Sequence, residues 1–313
     1  MKAIRLASTL DLPHEEWLTY RRRGISGTDV GAICGVDKWR SPIAVYLEKT
    51  GQVPKREENE AMYFGRLLEE VVADEFAKRT GYKIQRSNAI LQHPENEWAI
   101  GNIDRLILDS ERGNGVLEVK TASEYVKKEW EDGNIPEAYQ LQLQWYLYIT
   151  DLKWGAFAVL IGGNKFQYKM IERDQEIIDL LIKICKNFWE NHLLAGIPPL
   201  VDGSEASADL LNRMYPEGEA DSKVVLPDEA EELIIQWEQA NEDMEEAEER
   251  KRKAENRLKA LIGEYEVGIT PEHTVTWKNV SRHTIDTKAL KAAHPDIYKQ
   301  FVKPSRSRRF LIK

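Results

Sequence analysis

Only two cysteines, Cys34 and Cys185, occur in 313 residues. That number excludes a disulfide framework and equally a four-cysteine iron–sulfur site. No apolar run approaches the roughly 20 residues needed to cross a bilayer. The first residues also lack the basic, apolar and small-residue succession of a secretory leader, so a cytoplasmic enzyme is expected. No internal repeat is evident, and the hydrophobic share of 42% suffices for one large domain plus an appendage. An overall basic balance is missing too, the formal net charge being −9. This does not exclude a nucleic-acid partner, because phosphates respond to the local field and not to the sum. Much of the excess acid sits between Asp228 and Glu255, with runs such as Glu245-Glu246-Ala247-Glu248-Glu249. Basic residues cluster at Arg21 to Arg23, at Lys127-Lys128, and at Lys303, Arg306, Arg308, Arg309 and Lys313. Each cluster is a candidate for backbone contact and equally for plain solubilising surface.

What the sequence does contain is one lysine beside three acids. In GVLEVKTA, Glu118 and Lys120 alternate with Leu117 and Val119, so a strand sends the charged pair to one face and the apolar pair to the core. Ile100 through Leu108 reads as the preceding strand, and the turn formers from Asp109 to Gly115 predict a hairpin that lays Asp104 beside Glu118. Two carboxylates converging on a hard cation fit Mg²⁺ or Mn²⁺. Lys120 would orient a water, help deprotonate it, or stabilise charge on the transition state. Glu69 belongs to a predicted helix whose apolar arc is Phe64, Leu67, Leu68, Val71, Val72 and Phe76, ended by Gly81. It falls at the edge of that arc, one turn beyond Gly65, where it faces a cleft. Either motif alone is weak, since a charge on a strand or helix is mostly surface.

Further along, Gln140, Gln142 and Gln144 sit in PEAYQLQLQWYLY. The alternative to a functional glutamine is an amphipathic helix with Leu141, Trp145 and Tyr148 inward and the glutamines in water. Near the start, Arg21-Arg22-Arg23 followed by Ser26-Gly27-Thr28-Asp29 places guanidinium groups beside a helix N-terminus, which binds phosphate readily. A simple helix cap explains the same residues. Trp39, in the loop before the Ser41-Pro42 helix start, reads either as a base-stacking residue or as core.

The succession of acid-bearing helix, strand with Asp, strand with Glu-x-Lys and Gln-bearing helix is the layout of the PD-(D/E)XK nuclease core. GISGTDVGAICGVDKWRSP, GRLLEEVVADEF, GNIDR, LEVKTA and PEAYQLQLQWYLY resemble the successive blocks of the YqaJ-like viral recombinases, the phage alkaline exonuclease family that includes lambda exonuclease. The resemblance covers about residues 20 to 200. It departs from the motif where Gly101-Asn102-Ile103 precedes Asp104 and a proline is usual, a position without chemistry. The resemblance implies an α/β, restriction-endonuclease-like core with a central mixed sheet flanked by helices. It implies one or two Mg²⁺ or Mn²⁺ ions held by Glu69, Asp104, Glu118 and the carbonyl of Val119, with Lys120 and one glutamine, aligned to Gln142, serving catalysis. Gln140 and Gln144, one turn apart, are the alternative pair to line the cleft. Arg21 with Thr28 seven residues later matches the family's 5′-phosphate pocket, with Ser26 a second hydroxyl. The implied activity is 5′-to-3′ resection of linear duplex DNA to 3′ tails. The implied partners are DNA ends and a single-strand annealing recombination protein, with a homo-oligomer, in some members a ring, in a phage or prophage setting. A sequence- or structure-dependent endonuclease on the same core, and a non-catalytic DNA-binding module, are the competing readings.

For organisation, residues 1–200 are expected to form the nuclease domain. It includes a hairpin at Ala156–Ile161 and Lys165–Ile171 and a long helix from Asp174 to Ala195. Residues 201–225 read as a connector. Residues 226–263 read as a long helix with a heptad series, Leu233, Trp237, Ala240, Met244, Ala247, Lys251, Ala254, Leu258 and Leu261. This arm either joins protomers or lies on its own nuclease domain. Residues 264–313 read as a small basic extension.

Overall fold

The computed structural model describes residues 2–53, 59–303 and 307–312. Of the C-terminal basic cluster, Arg306 and Lys313 lie outside the described residues. The chain forms two compact units, Met1–Met214 and Tyr215–Lys313.

In the first unit the elements run β1 (Ile4–Ser8), α1 (His14–Arg22), α2 (Gly27–Ile33), α3 (Pro42–Thr50), α4 (Glu60–Thr80), β2 (Lys83–Arg86), β3 (Ala89–Gln92), β4 (Ile100–Gly101), β5 (Arg105–Leu108) and β6 (Gly115–Ala122). There follow α5 (Glu137–Thr150), β7 (Trp154–Ile161), β8 (Lys165–Glu172), α6 (Gln175–Phe188) and α7 (Glu205–Met214). Five strands make a mixed sheet in the order β2-β5-β6-β7-β8, with β6 and β7 parallel and the other pairs antiparallel. β1, β3 and β4 form a smaller antiparallel sheet.

Alternation on β6 divides the core as expected. Leu117 and Val119 pack with Val72, Ala73 and Phe76 of α4, while Val116 joins the larger cluster around α5 and α6. α4 begins at Asn59, whose side chain accepts from the Met62 N–H, and stops at Gly81 with φ 76°. Its buried residues are Val72, Ala73 and Phe76, whereas Phe64, Leu67 and Val71 of the expected apolar arc are exposed. The apolar core of the sheet covers only the second half of the helix; the first half meets the sheet at Gly65, near Thr121, and through Glu69 and Glu70, which Arg105 binds.

Residues Ile100–Leu108 do not form one strand. β4 pairs with β3 in the small sheet and β5 pairs with β2 and β6 in the large one, so the chain changes sheets across Asn102-Ile103-Asp104. The predicted β5–β6 hairpin is present, with Arg105 opposite Leu117. The β7–β8 hairpin turns at Gly162 and Gly163, both at positive φ. α6 is capped by Asp174 and runs on as a π-helical turn, Trp189–Leu194.

α5 is wrapped by its surroundings from Gln142 to Ile149, all buried. Its close neighbour is α2, where a Cβ added to Gly27 would lie 2.4 Å from the Tyr146 ring and one at Gly31 would lie 2.8 Å from the Ala138 Cβ. Trp145 Nε1 donates to the Ile25 and Ile100 carbonyls at 3.3 and 3.2 Å, tying the segment before α2 to β4. The expected connector 201–225 is folded in its first part: α7 buries Ala206, Ser207 and Leu210 within the first unit. Apolar spacing too short to register as a helix in the sequence is enough here because the core supplies the partner surface.

The second unit contains α8 (Glu229–Ile262), a hairpin of β9 (Val267–Ile269) and β10 (Thr274–Thr276), α9 (Thr287–Ala293) and α10 (Pro295–Phe301). The 34-residue α8 matches the heptad reading in length, and α9 is capped by Asp286, whose side chain accepts from the Lys288 and Ala289 N–H groups. No helix among the described residues is long and apolar enough to cross a membrane.

Candidate active site

A cleft of about 560 Å³ opens in the first unit where α1, α2, α4, α5 and the end of β6 meet. Arg21, Ser26, Thr28, Glu69, Asp104, Glu118, Val119, Lys120 and Gln142 all line it. The sheet sets their order. Glu118 and Lys120 are two apart on β6, the parallel pairing with β7 buries them centrally, and Asp104 enters from the crossing between sheets.

Glu118 is 2% exposed. Its Oε1 accepts from Lys120 Nζ at 2.7 Å and Gln142 Nε2 at 2.5 Å. Its Oε2 is buried without a hydrogen-bond partner. An unpartnered buried carboxylate oxygen is costly, and it stands at the wall of the cleft. Asp104 Oδ2 accepts from the Val119 N–H at 2.8 Å. Burial, and then the carboxylate of Glu118, push the Asp104 carboxyl well above the usual carboxylate range. Burial raises Glu118 as well, against the opposing pull of Lys120. Lys120 loses hydration on burial, yet Glu118 and Asp104 outweigh that and hold its pKa above the ordinary lysine value. Its ammonium also donates to Gln142 Oε1 at 3.2 Å and stands 4.8 Å from the centre of the Tyr139 ring.

A buried acid with a free oxygen and a half-buried acid that repels it form an electrostatic defect that a hard cation relieves. Asp104, Glu118 and the Val119 carbonyl therefore fit Mg²⁺ or Mn²⁺ in donor chemistry. Glu69 stands differently. Arg105 pairs with Leu117, so it shares the α4 face of the sheet, opposite to Glu118. There its Nη1 binds Glu69 Oε1 at 2.6 Å and the Asp104 carbonyl at 2.9 Å, and its Nη2 binds Glu70 Oε2 at 3.1 Å. Accordingly, among the described residues no three His, Cys, Asp or Glu side chains are grouped to hold a metal ion. Glu69 lines the cleft with its Oε1 engaged by Arg105.

Of the three glutamines, Gln142 alone lines the cleft. Gln144 is buried on another face, donating to the Glu172 carbonyl at 2.8 Å and accepting from the Asp174 N–H at 2.9 Å, which fastens α5 to the β8–α6 link. Gln140 is exposed and donates to the Ile135 carbonyl at 2.8 Å. Neither supports the alternative pairing, and the reading of water-facing glutamines is equally displaced at Gln142 and Gln144. Trp39 is 70% exposed, so it is not core, and it does not line the cleft.

At the cleft's other end Arg21 Nη2 donates to Thr28 Oγ1 at 2.7 Å and Ser26 Oγ at 2.9 Å. Fully buried Asp29 organises them. It accepts from the Ser26 N–H and Oγ and pairs with Arg21, Arg40 and Lys49 at 3.3, 3.0 and 2.6 Å. Burial opposes its charge, but the three cations hold its pKa well below the usual range.

Four residues escaped the sequence reading. Asn102 lines the cleft with a buried, unpartnered Oδ1. Tyr139 lies one turn before Gln142, a spacing that places it on the same helix face. Trp17 sits 4.9 Å from the Arg21 guanidinium, four residues earlier on α1. Arg105, adjacent to Asp104, is 3% exposed, and only the sheet register reveals its partners.

The fold and the site define an α/β protein with a mixed five-stranded sheet and a carboxylate–lysine cleft at its helical flank. That fold is shared with the alkaline exonuclease LHK-Exo from Laribacter hongkongensis. The structure of LHK-Exo in complex with dAMP has a TM-score of 0.50 at 20% identity, covering 64% of this chain and 98% of that one. Residues 16–153 match the YqaJ-like viral recombinase domain. The protein YqaJ of Bacillus subtilis (strain 168), itself uncharacterized, is 42% identical over all of this chain and 98% of its own length. The chain belongs to the YqaJ-like viral recombinase family.

Proposed function

We propose that this chain is a metal-dependent deoxyribonuclease that resects linear duplex DNA from the 5′ end, leaving 3′ single-stranded tails for phage-type recombination. The observation that carries the hydrolytic part is Glu118, buried beside Asp104 with one oxygen bonded to Lys120 and Gln142 and the other unpartnered at the cleft. Direction and duplex preference rest on the family resemblance, as does a single-strand annealing protein as partner.

Asp104, Glu118 and the Val119 carbonyl would hold Mg²⁺ or Mn²⁺, with Glu69 added. Such a cation, when bound, supplies Lewis acidity toward a phosphoryl oxygen and lowers the pKa of a water. The protein's own groups do the rest. Lys120, fixed by Glu118 and Gln142, presents positive charge to the phosphate as negative charge grows on its oxygens. Gln142 holds both Lys120 and Glu118 and keeps that pair from swinging away. Arg21, Thr28 and Ser26 supply a guanidinium and two hydroxyls for a terminal 5′-phosphate, and Asp29 holds the guanidinium in place.

The test uses the full chain and Glu118→Ala with three substrates, each with and without Mg²⁺: 5′-phosphorylated linear duplex, 5′-hydroxyl duplex, and closed circular DNA. Metal- and Glu118-dependent loss of the 5′-phosphorylated strand alone is expected. Cutting of the circle would assign an endonuclease, and binding without any cutting would leave a DNA-binding module.

A further inference from the structure

Among the described residues, the helix α8 has no partner for its seam. Leu233, Trp237, Met244, Leu258 and Leu261 are between 41% and 84% exposed, and Ile262 is its one buried residue. The β9–β10 hairpin occupies a different flank of the helix end, where Gly268 approaches Ile262 and the Trp277 ring lies 6.0 Å from Lys259 Nζ. An apolar series at alternating steps of four and three over 34 residues therefore lies in water, which exposes more apolar surface than a lone helix sustains.

The distribution of charge says what covers it. Every charged residue from Glu229 to Glu249 is acidic, and Arg250 to Lys253 are all basic. A parallel second copy in register would stack Lys251 on Lys251 in the seam and set Asp243 beside Glu248 across it, both repulsive. An antiparallel copy with its axis between Glu245 and Glu246 removes both conflicts. In that register the seam layers are Leu233 with Leu258, Trp237 with Ala254, Ala240 with Lys251 and Met244 with Ala247. Three of these four set a large side chain against a small one, which is how facing helices interdigitate. The flanking positions then place Asp243 beside Arg250 of the other copy twice, by symmetry, and Glu248 beside Asn241, with no like-charge pair across the seam. The remaining acids, Glu242, Glu245, Glu246 and Glu249, fall on the outer faces in solvent.

We infer that α8 is a self-association element, pairing antiparallel with α8 of a second copy of this chain in the register that joins Ala240 to Lys251. The pairing is independent of the nuclease reading, since its argument uses none of the cleft's residues. The small residues in the seam allow the two helices to approach closely, and the charge pairs choose the orientation more than they add affinity.

The test is made on the full chain by light scattering and by cysteine cross-linking. A mass twice that of one chain is expected, and a single-chain mass at micromolar concentration would overturn the inference. Differently tagged Ala240→Cys and Lys251→Cys chains, oxidised together, should form the mixed dimer. Either alone should not exceed the native chain with Cys34 and Cys185, because equivalent positions lie about 16 Å apart along the axis, beyond disulfide reach. Self-cross-linking of Ala240→Cys would establish a parallel pair and sink the register. Asp243→Arg should raise the dissociation constant several-fold, and Asp243→Arg with Arg250→Asp in the same chain should restore it. Equal association of all three chains would show that another surface holds the copies. Both sites are on the exposed helix, and circular dichroism of each variant separates a lost interface from a lost helix.

Discussion

Lys120 and Asp29 show two ways a buried charge is kept. Lys120 is held by carboxylates that themselves lack full compensation, Glu118 Oε2 having no hydrogen-bond partner. Replacing it with alanine should lower cleavage by about a hundredfold or more, since a single charge-stabilising donor is worth that much. DNA binding and the melting temperature should stay close to those of the native chain; turnover near the native rate would remove Lys120 from the chemistry. Asp29, in contrast, is fully compensated by Arg21, Arg40 and Lys49. Its folded pKa lies below the unfolded value of 3.8. Its stabilisation is therefore complete above about pH 4 and is lost as pH falls through the folded value. Lys49 runs the other way: burial pushes it down to about 8 from 10.5, so its penalty is full below pH 8 and is relieved as pH climbs toward 10.5. Asp29→Asn should cost about 3–5 kcal/mol in urea denaturation at pH 7 and flatten the acid limb of stability against pH. An unchanged acid limb would assign that limb to other carboxylates. At the same end of the cleft, Arg21→Ala should reduce the preference for 5′-phosphorylated over 5′-hydroxyl ends. An unchanged ratio would detach Arg21 from the phosphate.

At the scale of elements, α4 separates what a periodic pattern says from what a neighbour decides. The apolar spacing places Phe64, Leu67, Leu68, Val71, Val72 and Phe76 on one arc, yet only Val72, Ala73 and Phe76 are buried in the apolar core of the sheet. Phe76→Ala should thus cost about 3–5 kcal/mol, whereas Leu67→Ala should fall within about 0.5 kcal/mol, as measured by denaturant unfolding. A large loss at Leu67 would mean that the first half of α4 is covered in solution. The contact of α2 with α5 is the opposite case, a close approach that the sequence signals only through its glycines. The Cβ of Gly27→Ala would meet the Tyr146 ring at 2.4 Å, forcing α2 and the Ser26 and Thr28 hydroxyls out of place. A loss of about 1–3 kcal/mol together with weaker phosphate preference is expected. Ile100 to Leu108 reads as one strand because its strand-forming residues, Ile100, Ile103, Leu106, Ile107 and Leu108, are spread across the whole segment. The change of sheet at Asn102 to Asp104 leaves no local trace, since it depends on which strands pair.

On the scale of the whole molecule, the two units predict a cleavable joint. Tyr215 to Asp228 contains no helix or strand and is almost wholly exposed. Limited proteolysis should cut there and leave a fragment close to residues 1–214 that still melts cooperatively and retains the cleft. Failure of that fragment to melt cooperatively would show that α7 does not complete the core. The sequence by itself determined that Glu118, Lys120 and Asp104 lie together, because strand alternation places Glu118 with Lys120 and a hairpin brings Asp104 close. It determined helix limits at Gly81 and Asp174, where the signals are local. It determined the family through five short blocks in order. The tertiary structure alone decided that Gln142 and not Gln144 faces the cleft, that Glu69 is held by Arg105, and that Asp29 gathers three cations around the Arg21 end of the cleft. These are contacts between residues remote in sequence. Their energy comes from burial and pairing that no local window of the chain contains, so strand order and register had to be known first.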